Sequence, residues 1–191
     1  MSEQREGRGL RLLWTAGVVT FLVCTAQQAA AQAPTRNLRF WAVQTAFTIS
    51  VFDNQFGGSI IIGSPGDSYY VDINSNAKLF GGFFASAHRL TTGAKRTKVG
   101  KDRINLLRQL LAAELNCAAF GCDSATQTTI AFGEQAFAMG ASSEDSLKSA
   151  ADDLRAYNRS GTHQTLPSDP GEPTRSTSIA LADPAFWDFV P

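Results

Sequence analysis

The residues with the clearest chemistry in this chain are two cysteines, Cys117 and Cys122. On a continuous helix a five-residue spacing gives about 7.5 Å of rise alone, whereas a disulfide needs Cα atoms closer than about 7 Å. We therefore predict a disulfide, with the preceding helix ending between the two cysteines near Gly121. A metal site would need further ligands and a redox pair is typically C-x-x-C, so we expect no metal and no cofactor.

Two histidines, His88 and His163, are the only imidazoles available for acid–base chemistry. Neither is spaced for metal binding, and no G-x-S-x-G nucleophile motif is present. A Ser-His-Asp triad can still assemble in space from distant residues. A small secreted hydrolase that uses His88 or His163 is therefore the alternative function.

Basic residues are concentrated in one part of a chain that is neutral as a whole. Seventeen Lys and Arg balance seventeen Asp and Glu, which argues against a dedicated nucleic-acid binder. Within residues 89–108 the only opposing acid is Asp102; the bases are Arg89, Lys95, Arg96, Lys98, Lys101, Arg103 and Arg108. We predict that Lys95, Arg96, Lys98 and Lys101 bind an anionic surface polymer or polysaccharide. The alternative is a solvated loop that leads into a helix.

The first 31 residues have the pattern of a secretory signal peptide. Arg5, Arg8 and Arg11 precede an uncharged stretch at 12–25, and small residues follow at 29–33, the pattern that a signal peptidase recognises. The apolar stretch of about 14 residues is shorter than the roughly 20 that a membrane-spanning helix needs. We expect cleavage after Ala31 or Ala33, an extracellular or periplasmic protein, and no membrane span in the mature chain.

The mature chain has the pattern of a mainly α domain, residues 32–162, with a small β-hairpin. Aromatic and β-branched residues at three- and four-residue steps predict a helix within 34–56, and 77–90 is a weaker helical segment. The runs 59–62 and 69–73, separated by a Gly-Ser-Pro-Gly turn, predict the hairpin.

Three further helices should form an antiparallel layer. The first is capped by Asp102 and ends at Asn116 or Gly121. The second runs from Ser124 to Ala138, and the third begins at Ser142 or Ser143 and ends at 160–161. The predicted fold class is therefore mainly α (α+β), with one disulfide.

The C-terminal part divides into a polar linker and an apolar tail. Residues 163–178 are polar and Pro-rich, whereas 179–191 contain four large apolar residues near the end. We expect the tail to dock on the aromatic segment around Phe40, Trp41 and Phe47. Trp41 and Trp187 are also candidate binding residues, because a binding module should present an exposed aromatic or basic face.

Several motifs in this order resemble a family of bacterial secreted proteins of unknown function. Its members carry an aromatic F/Y-W motif, a G-x-K-R segment, a Q-L-L-A-A-x-L-N helix and an F/Y-N-x-S-G helix end. The matching segments here are 40–41, 93–96, 109–116 and 157–161, followed by A-F-W-D at 185–188. The resemblance implies secretion and a surface setting, without an established reaction. We therefore expect a non-enzymatic binding or structural module of unknown ligand.

Overall fold

A computed structural model describes residues 33–191, so the predicted signal peptide lies outside the described residues. The fold is mainly helical with one small hairpin, as the sequence predicts. Its elements are α1 (Leu38–Val43), α2 (Thr45–Phe56), β1 (Ile60–Ile62), β2 (Val71–Ile73), α3 (Asn76–Phe84), α4 (Lys98–Phe120), α5 (Ser124–Ala138), α6 (Glu144–Ser160), α7 (Arg175–Leu181) and a 3-10 helix, Pro184–Phe189.

Helices α4, α5 and α6 form the centre of the fold and pack against one another. Arg103 near the start of α4 contacts Phe137 at the end of α5, so these two helices are antiparallel. Asp102 near the start of α4 pairs with Lys148 near the start of α6, so α4 and α6 run parallel. The leucines of α4 are fully buried between its neighbours, which confirms the predicted helical layer.

Helix α4 begins earlier than its apolar pattern indicates. Its N-cap is Thr97, whose hydroxyl accepts a hydrogen bond from the Gly100 N–H, and not Asp102. The first turn lies against the end of the chain, because a Cβ on Gly100 would be 1.6 Å from the Pro191 carbonyl oxygen. At its other end α4 stops at Gly121, which was one of the two predicted ends.

The predicted first helix is two helices. Gln44 separates α1 from α2 with a ψ of 64°, and the Thr48 hydroxyl donates to the Trp41 carbonyl across the break. The break turns α1 so that the Trp41 ring is buried against Phe47 and Phe120. Periodicity alone could not reveal it, because both helices contribute to one aromatic stripe.

The hairpin and the disulfide are both confirmed. Strands β1 and β2 pair antiparallel, with Ile60 opposite Ile73. Cys117 in the last turn of α4 is bonded to Cys122 just beyond Gly121, and their Cα atoms are 4.9 Å apart. The helix ends between the cysteines, as the geometric argument requires.

The C-terminal segment differs from the prediction in two respects. Helix α7 includes the last four residues of the predicted linker, and Ser178 within it is buried against the Thr45 hydroxyl. The following 3-10 helix packs on α3 and not on the aromatic segment around Phe40. Gly81 makes this contact possible, since a Cβ there would lie 2.1 Å from the Asp183 carbonyl oxygen.

None of the helices within residues 33–191 combines the length and the apolar character that crossing a membrane requires.

Candidate functional site

Both histidines lie at the surface. His88 and His163 are exposed, and in the described part of the chain neither imidazole hydrogen-bonds a hydroxyl or carboxyl group. The Nε2 atom of His163 contacts only the neighbouring Gln164 amide, at 3.1 Å. Residues 33–191 also hold no group of three or more His, Cys, Asp or Glu side chains placed to bind a metal ion.

Arg96, one of the four predicted anion-binding residues, is used inside the protein. Its side chain is buried and ties the C-terminal segment to the loop before α4. Its Nε donates to the Ser86 carbonyl at 2.8 Å, and its Nη atoms contact the Val190 carbonyl and, at 3.3 Å, the Asp188 carboxylate. Arg96 is therefore not a surface group that a polymer could reach.

The three predicted lysines have different surroundings. Lys98 lies at the start of α4 and forms an ion pair with Glu144. Lys95 is exposed and forms an isolated β-bridge with Arg89. Lys101 is half-buried on α4. The predicted basic site thus keeps three lysines at the surface, one of which already has a carboxylate partner.

Two arginines further along the basic run also face inward: Arg103 is buried and Arg108 is half-buried. Arg103 donates to backbone carbonyls at the end of α5, and Arg108 donates to the Ala85 carbonyl after α3. Burial lowers the pKa of both guanidinium groups. Their positive charge stabilises helix ends and turns, so it does not contribute to a surface site.

Trp41 and Trp187 are both fully buried, and neither forms an exposed aromatic face. The Trp41 indole N–H donates to the Asn116 side-chain oxygen at 3.2 Å. The Trp187 indole N–H donates to the Lys78 carbonyl at 3.0 Å. Each ring lies in its own aromatic cluster, Trp41 with Phe47 and Trp187 with residues of the C-terminal segment.

A buried hydrogen-bond network begins at Trp41 and connects α1, α4 and α6. The Asn116 oxygen accepts from Trp41, and the Asn116 amide nitrogen donates to the Asn158 oxygen at 2.8 Å. The Asn158 amide nitrogen donates to the backbone oxygen of Gln109 at 3.0 Å and to its side-chain oxygen at 3.2 Å. The structure thereby brings together polar residues of three separate sequence motifs.

The network also fixes the segment that leads into α1. Asn116 binds both the N–H and the carbonyl of Arg36, at 2.6 and 2.7 Å. The Thr35 hydroxyl accepts from the Gly161 N–H at 2.8 Å and donates to the Asn158 carbonyl at 3.3 Å. Gly161 is required there, because a Cβ on it would lie 2.4 Å from the Ala33 carbonyl oxygen.

The network ends at a cavity of about 250 Å³ between α1, α4 and α6. Its lining residues are Asn37, Leu38, Arg39, Gln109, Arg155, Asn158 and Arg159. We call this cavity the arginine pocket. Gln109 is only 5% exposed, whereas the three arginines come from the surface of α1 and α6. The arginine pocket therefore has a buried amide side and a cationic side.

The charges of the arginine pocket are largely uncompensated. Arg155 forms an ion pair with Asp152 one turn earlier on α6. Among residues 33–191 neither Arg39 nor Arg159 forms an ion pair. Guanidinium groups are planar forks of N–H donors that match carboxylate, sulfate and phosphate oxygens. This arrangement can bind one compact anionic group.

Sequence reasoning missed this pocket, although parts of it were visible. Gln109 and Asn158 lie in the motifs that carry the family resemblance, and Arg155 and Arg159 are four residues apart on one helical face. Arg39 is more than a hundred residues away from α6 in the chain. Only the fold brings these groups to one cavity.

A second unusual group is a pair of carboxyl groups between α4 and α5. Burial and the neighbouring Glu134 carboxyl group raise the pKa of Glu114 to about 8. Burial also raises the pKa of Glu134. Two carboxyl groups in such contact retain a proton between them at neutral pH. Glu134 also lines a separate cavity with Asp67 and Gln135.

Because Glu114 and Glu134 share a proton in the folded state, we expect the protein to lose stability as the pH rises. The folded state keeps a proton on Glu114 that the unfolded chain releases above pH 4.5, so unfolding becomes easier between about pH 4.5 and 8. We expect the melting temperature to fall by at least about 2–4 °C over that range. Calorimetry at pH 5, 6.5 and 8 measures it. Glu114→Gln should flatten the dependence, whereas Glu172→Gln at an exposed position should not; a flat wild-type profile would contradict the prediction.

Comparison of the chain with protein-family models, with curated proteins and with solved structures found no match.

Proposed function

We propose that this protein is an exported, non-enzymatic binding module that holds an anionic group of its ligand in the arginine pocket. The observation that carries the proposal is the convergence of Arg39, Arg155 and Arg159 on one cavity. Within residues 33–191, the one ion pair that these arginines form joins Arg155 to Asp152. An anionic surface polymer or polysaccharide is the partner class that fits both this site and the predicted export.

The proposal moves the binding site away from the basic run that the sequence suggests. In that run Arg96 is buried and Lys98 is paired with Glu144. The arginine pocket instead offers two guanidinium groups without an ion-pair partner in the described residues. Charge-assisted hydrogen bonds to an anion are roughly twice as strong as neutral ones, so this site is better suited to anion binding.

No observation favours the hydrolase alternative. It requires His88 or His163 beside a hydroxyl or carboxyl group in a pocket. Both imidazoles are exposed, and neither has such a neighbour by hydrogen bond within residues 33–191. The proposal therefore assigns no reaction.

Retention on immobilised heparin, a sulfated polysaccharide, tests the proposal. The double variant Arg39→Ala/Arg159→Ala should bind about tenfold more weakly and elute at lower salt, because two charge-assisted contacts of the pocket are lost. Both side chains are exposed, so the melting temperature should not change. Wild-type protein in low salt provides the reference.

The matched control is Lys95→Ala/Lys101→Ala, which removes the same charge from the predicted basic site. If retention depends on the arginine pocket, this control elutes close to wild type. Equal losses in the two double variants would mean that only overall charge matters, and the proposed pocket would be wrong. A larger loss of retention in the lysine variant would mean that the basic run, and not the arginine pocket, is the binding site.

A further inference from the structure

The oxygen atom of each of the three amide side chains that line the arginine pocket already accepts one hydrogen bond from within the protein. The Asn37 oxygen accepts the Phe40 N–H at 3.1 Å as the cap of α1. The Gln109 oxygen accepts from Asn158, and the Asn158 oxygen accepts from Asn116. The side-chain N–H groups of Asn37 and Gln109, by contrast, have no acceptor among the described residues, so the amide groups that remain wholly unpaired for a ligand are donors.

The buried Trp41 side chain sets which end of each amide group in the network donates and which end accepts. An indole N–H can only donate, so the Trp41 contact orients the Asn116 oxygen toward it. The Asn116 nitrogen then donates to Asn158, and the Asn158 nitrogen donates to Gln109. Each step leaves the next amide one possible orientation. At the end of the series the Gln109 Nε2 group has no protein acceptor among the described residues, and Gln109 lines the cavity.

Arginine side chains contain no acceptor at all. The unpaired polar groups of the pocket are therefore donors, from Asn37, Arg39, Gln109, Arg155 and Arg159. A ligand group that must itself donate a hydrogen bond finds only amide oxygens that already accept one, and it leaves a donor of the pocket unpaired, which is costly when that donor is buried. The best ligand group is one that only accepts.

We infer that the arginine pocket selects an ester-linked tetrahedral oxyanion that carries no proton: a sulfate ester or a fully ionised phosphate ester. This inference rests on the proposed function and specifies its ligand. A carboxylate has two oxygens and leaves more of the donors unpaired than a group with three terminal oxygens does. The cavity of about 250 Å³ is below the usual range for a drug-sized ligand, so it takes the anionic group and leaves the remainder of the ligand outside. Gln109 determines this specificity.

Three sugars that differ only at C6 test the inference by calorimetric titration at constant ionic strength: glucose 6-sulfate, glucose 6-phosphate and glucuronate. Glucose 6-sulfate and glucuronate have the same charge, and the sulfate should bind at least about tenfold more tightly. Between pH 8 and pH 5 the sulfate affinity should stay constant. The phosphate affinity should fall about tenfold, because its second pKa is near 6.

The sulfate ester also serves as the control for titration of the protein, since it stays ionised throughout this range. A fall in phosphate affinity alone identifies the ligand's proton as the cause. If both sulfate and phosphate bind, the pocket recognises the shared chemistry. If only one of the two sugars binds at pH 8, that result shows whether the ligand of the pocket is a sulfate ester or a phosphate ester.

Gln109→Glu tests the specificity role directly. One glutamate oxygen can still accept from Asn158, while the other replaces the free donor by an acceptor. The affinity for glucose 6-sulfate should fall by more than about tenfold. At pH 5 the affinity for glucose 6-phosphate should fall less, because the P–OH group of its hydrogen phosphate can donate to the glutamate. Asn37→Asp makes the same donor-to-acceptor change at an exposed position and keeps the helix cap, so it provides the test if Gln109→Glu does not fold.

The results separate the inference from the proposed function. If Arg39→Ala/Arg159→Ala leaves the binding of all three sugars unchanged, the proposed function is wrong. If the arginine variant weakens all three but glucuronate binds as tightly as glucose 6-sulfate, only the inference is overturned. An unchanged ratio of sulfate to phosphate affinity at pH 5 in both acceptor variants would likewise overturn it.

Discussion

Arg103→Ala is expected to lower the free energy of unfolding by about 3–5 kcal/mol, because it removes a large buried side chain and leaves a buried backbone carbonyl without a donor. The Arg103 side chain is fully buried. Its Nη atoms donate to the Ala136 carbonyl at 3.2 Å, to the Phe137 carbonyl, and to the Met139 carbonyl at 3.1 Å. Its guanidinium carbon lies 3.9 Å from the centre of the Tyr69 ring.

The expected loss of stability follows from the backbone carbonyls that the alanine variant leaves at the end of α5. The carbonyls at the end of α5 have no intrahelical partner, and Arg103 satisfies them with a cation at the negative end of the helix dipole. Without it, the Phe137 carbonyl has no donor in the described part of the chain, while the Ala136 and Met139 carbonyls keep only their hydrogen bonds from Ser142. A buried acceptor without a donor costs about 1–3 kcal/mol, and the cavity left by the large buried side chain adds to this cost. Arg103→Lys should recover part of the loss, because it keeps the charge but not the planar fork.

Urea unfolding of the oxidised protein, followed by circular dichroism, measures the effect of Arg103→Ala. Arg175→Ala is the matched control, because Arg175 is exposed at the start of α7 and surface substitutions usually stay within about 0.5 kcal/mol. A loss of less than about 1 kcal/mol for Arg103→Ala would mean that other groups hold the end of α5.

Trp187→Ala is expected to destabilise the protein by about 3–5 kcal/mol, as large-to-small changes of buried aromatic residues do. Trp187 is 0% exposed. Its ring contacts Gly82 on α3 and lies edge-on to Phe137 on α5, with 6.4 Å between ring centres. The substitution would leave a cavity between α3 and α5 and remove the hydrogen bond to the Lys78 carbonyl.

Phe189→Ala is the control for Trp187, because Phe189 belongs to the same 3-10 helix but is 42% exposed. Its substitution should cost clearly less in urea unfolding. Equal effects, or a Trp187→Ala loss below about 1 kcal/mol, would show that the C-terminal segment does not unfold cooperatively with the helical domain.

Gly81→Ala is a second, independent perturbation of the same contact. Alanine normally stabilises a helix relative to glycine by about 1 kcal/mol. Here the added Cβ would lie 2.1 Å from the backbone oxygen of Asp183, so the C-terminal segment has to move and the effect on stability should have the opposite sign. Combined with Trp187→Ala, the two losses should be less than additive, because both release the same segment.

The sequence by itself determined the parts of this protein that depend on neighbouring residues. Apolar residues at three- and four-residue steps identified α4 to α6, since helical periodicity is a property of a short window. The hairpin followed from two β-branched runs around a Gly-Ser-Pro-Gly turn. The Cys117–Cys122 disulfide followed from covalent geometry and the position of Gly121.

Local patterns were less informative where distant segments decide the conformation. The first turn of α4 lies against Pro191, and α7 is joined to α2 by contacts such as that between Ser178 and Thr45. Neither partner lies near the segment in the chain. A propensity argument over a short window contains no information about such contacts.

Only the tertiary structure decided where each arginine side chain lies and which groups it contacts. Arg96 and Arg103 look like members of one solvated basic run in the sequence, yet the fold buries both on backbone carbonyls. Arg39 and Arg159 carry no sequence pattern that connects them, yet they line one cavity. The physical reason is that a guanidinium group can serve a helix end, a carboxylate or a ligand equally well. Which of these it meets depends on how the helices pack.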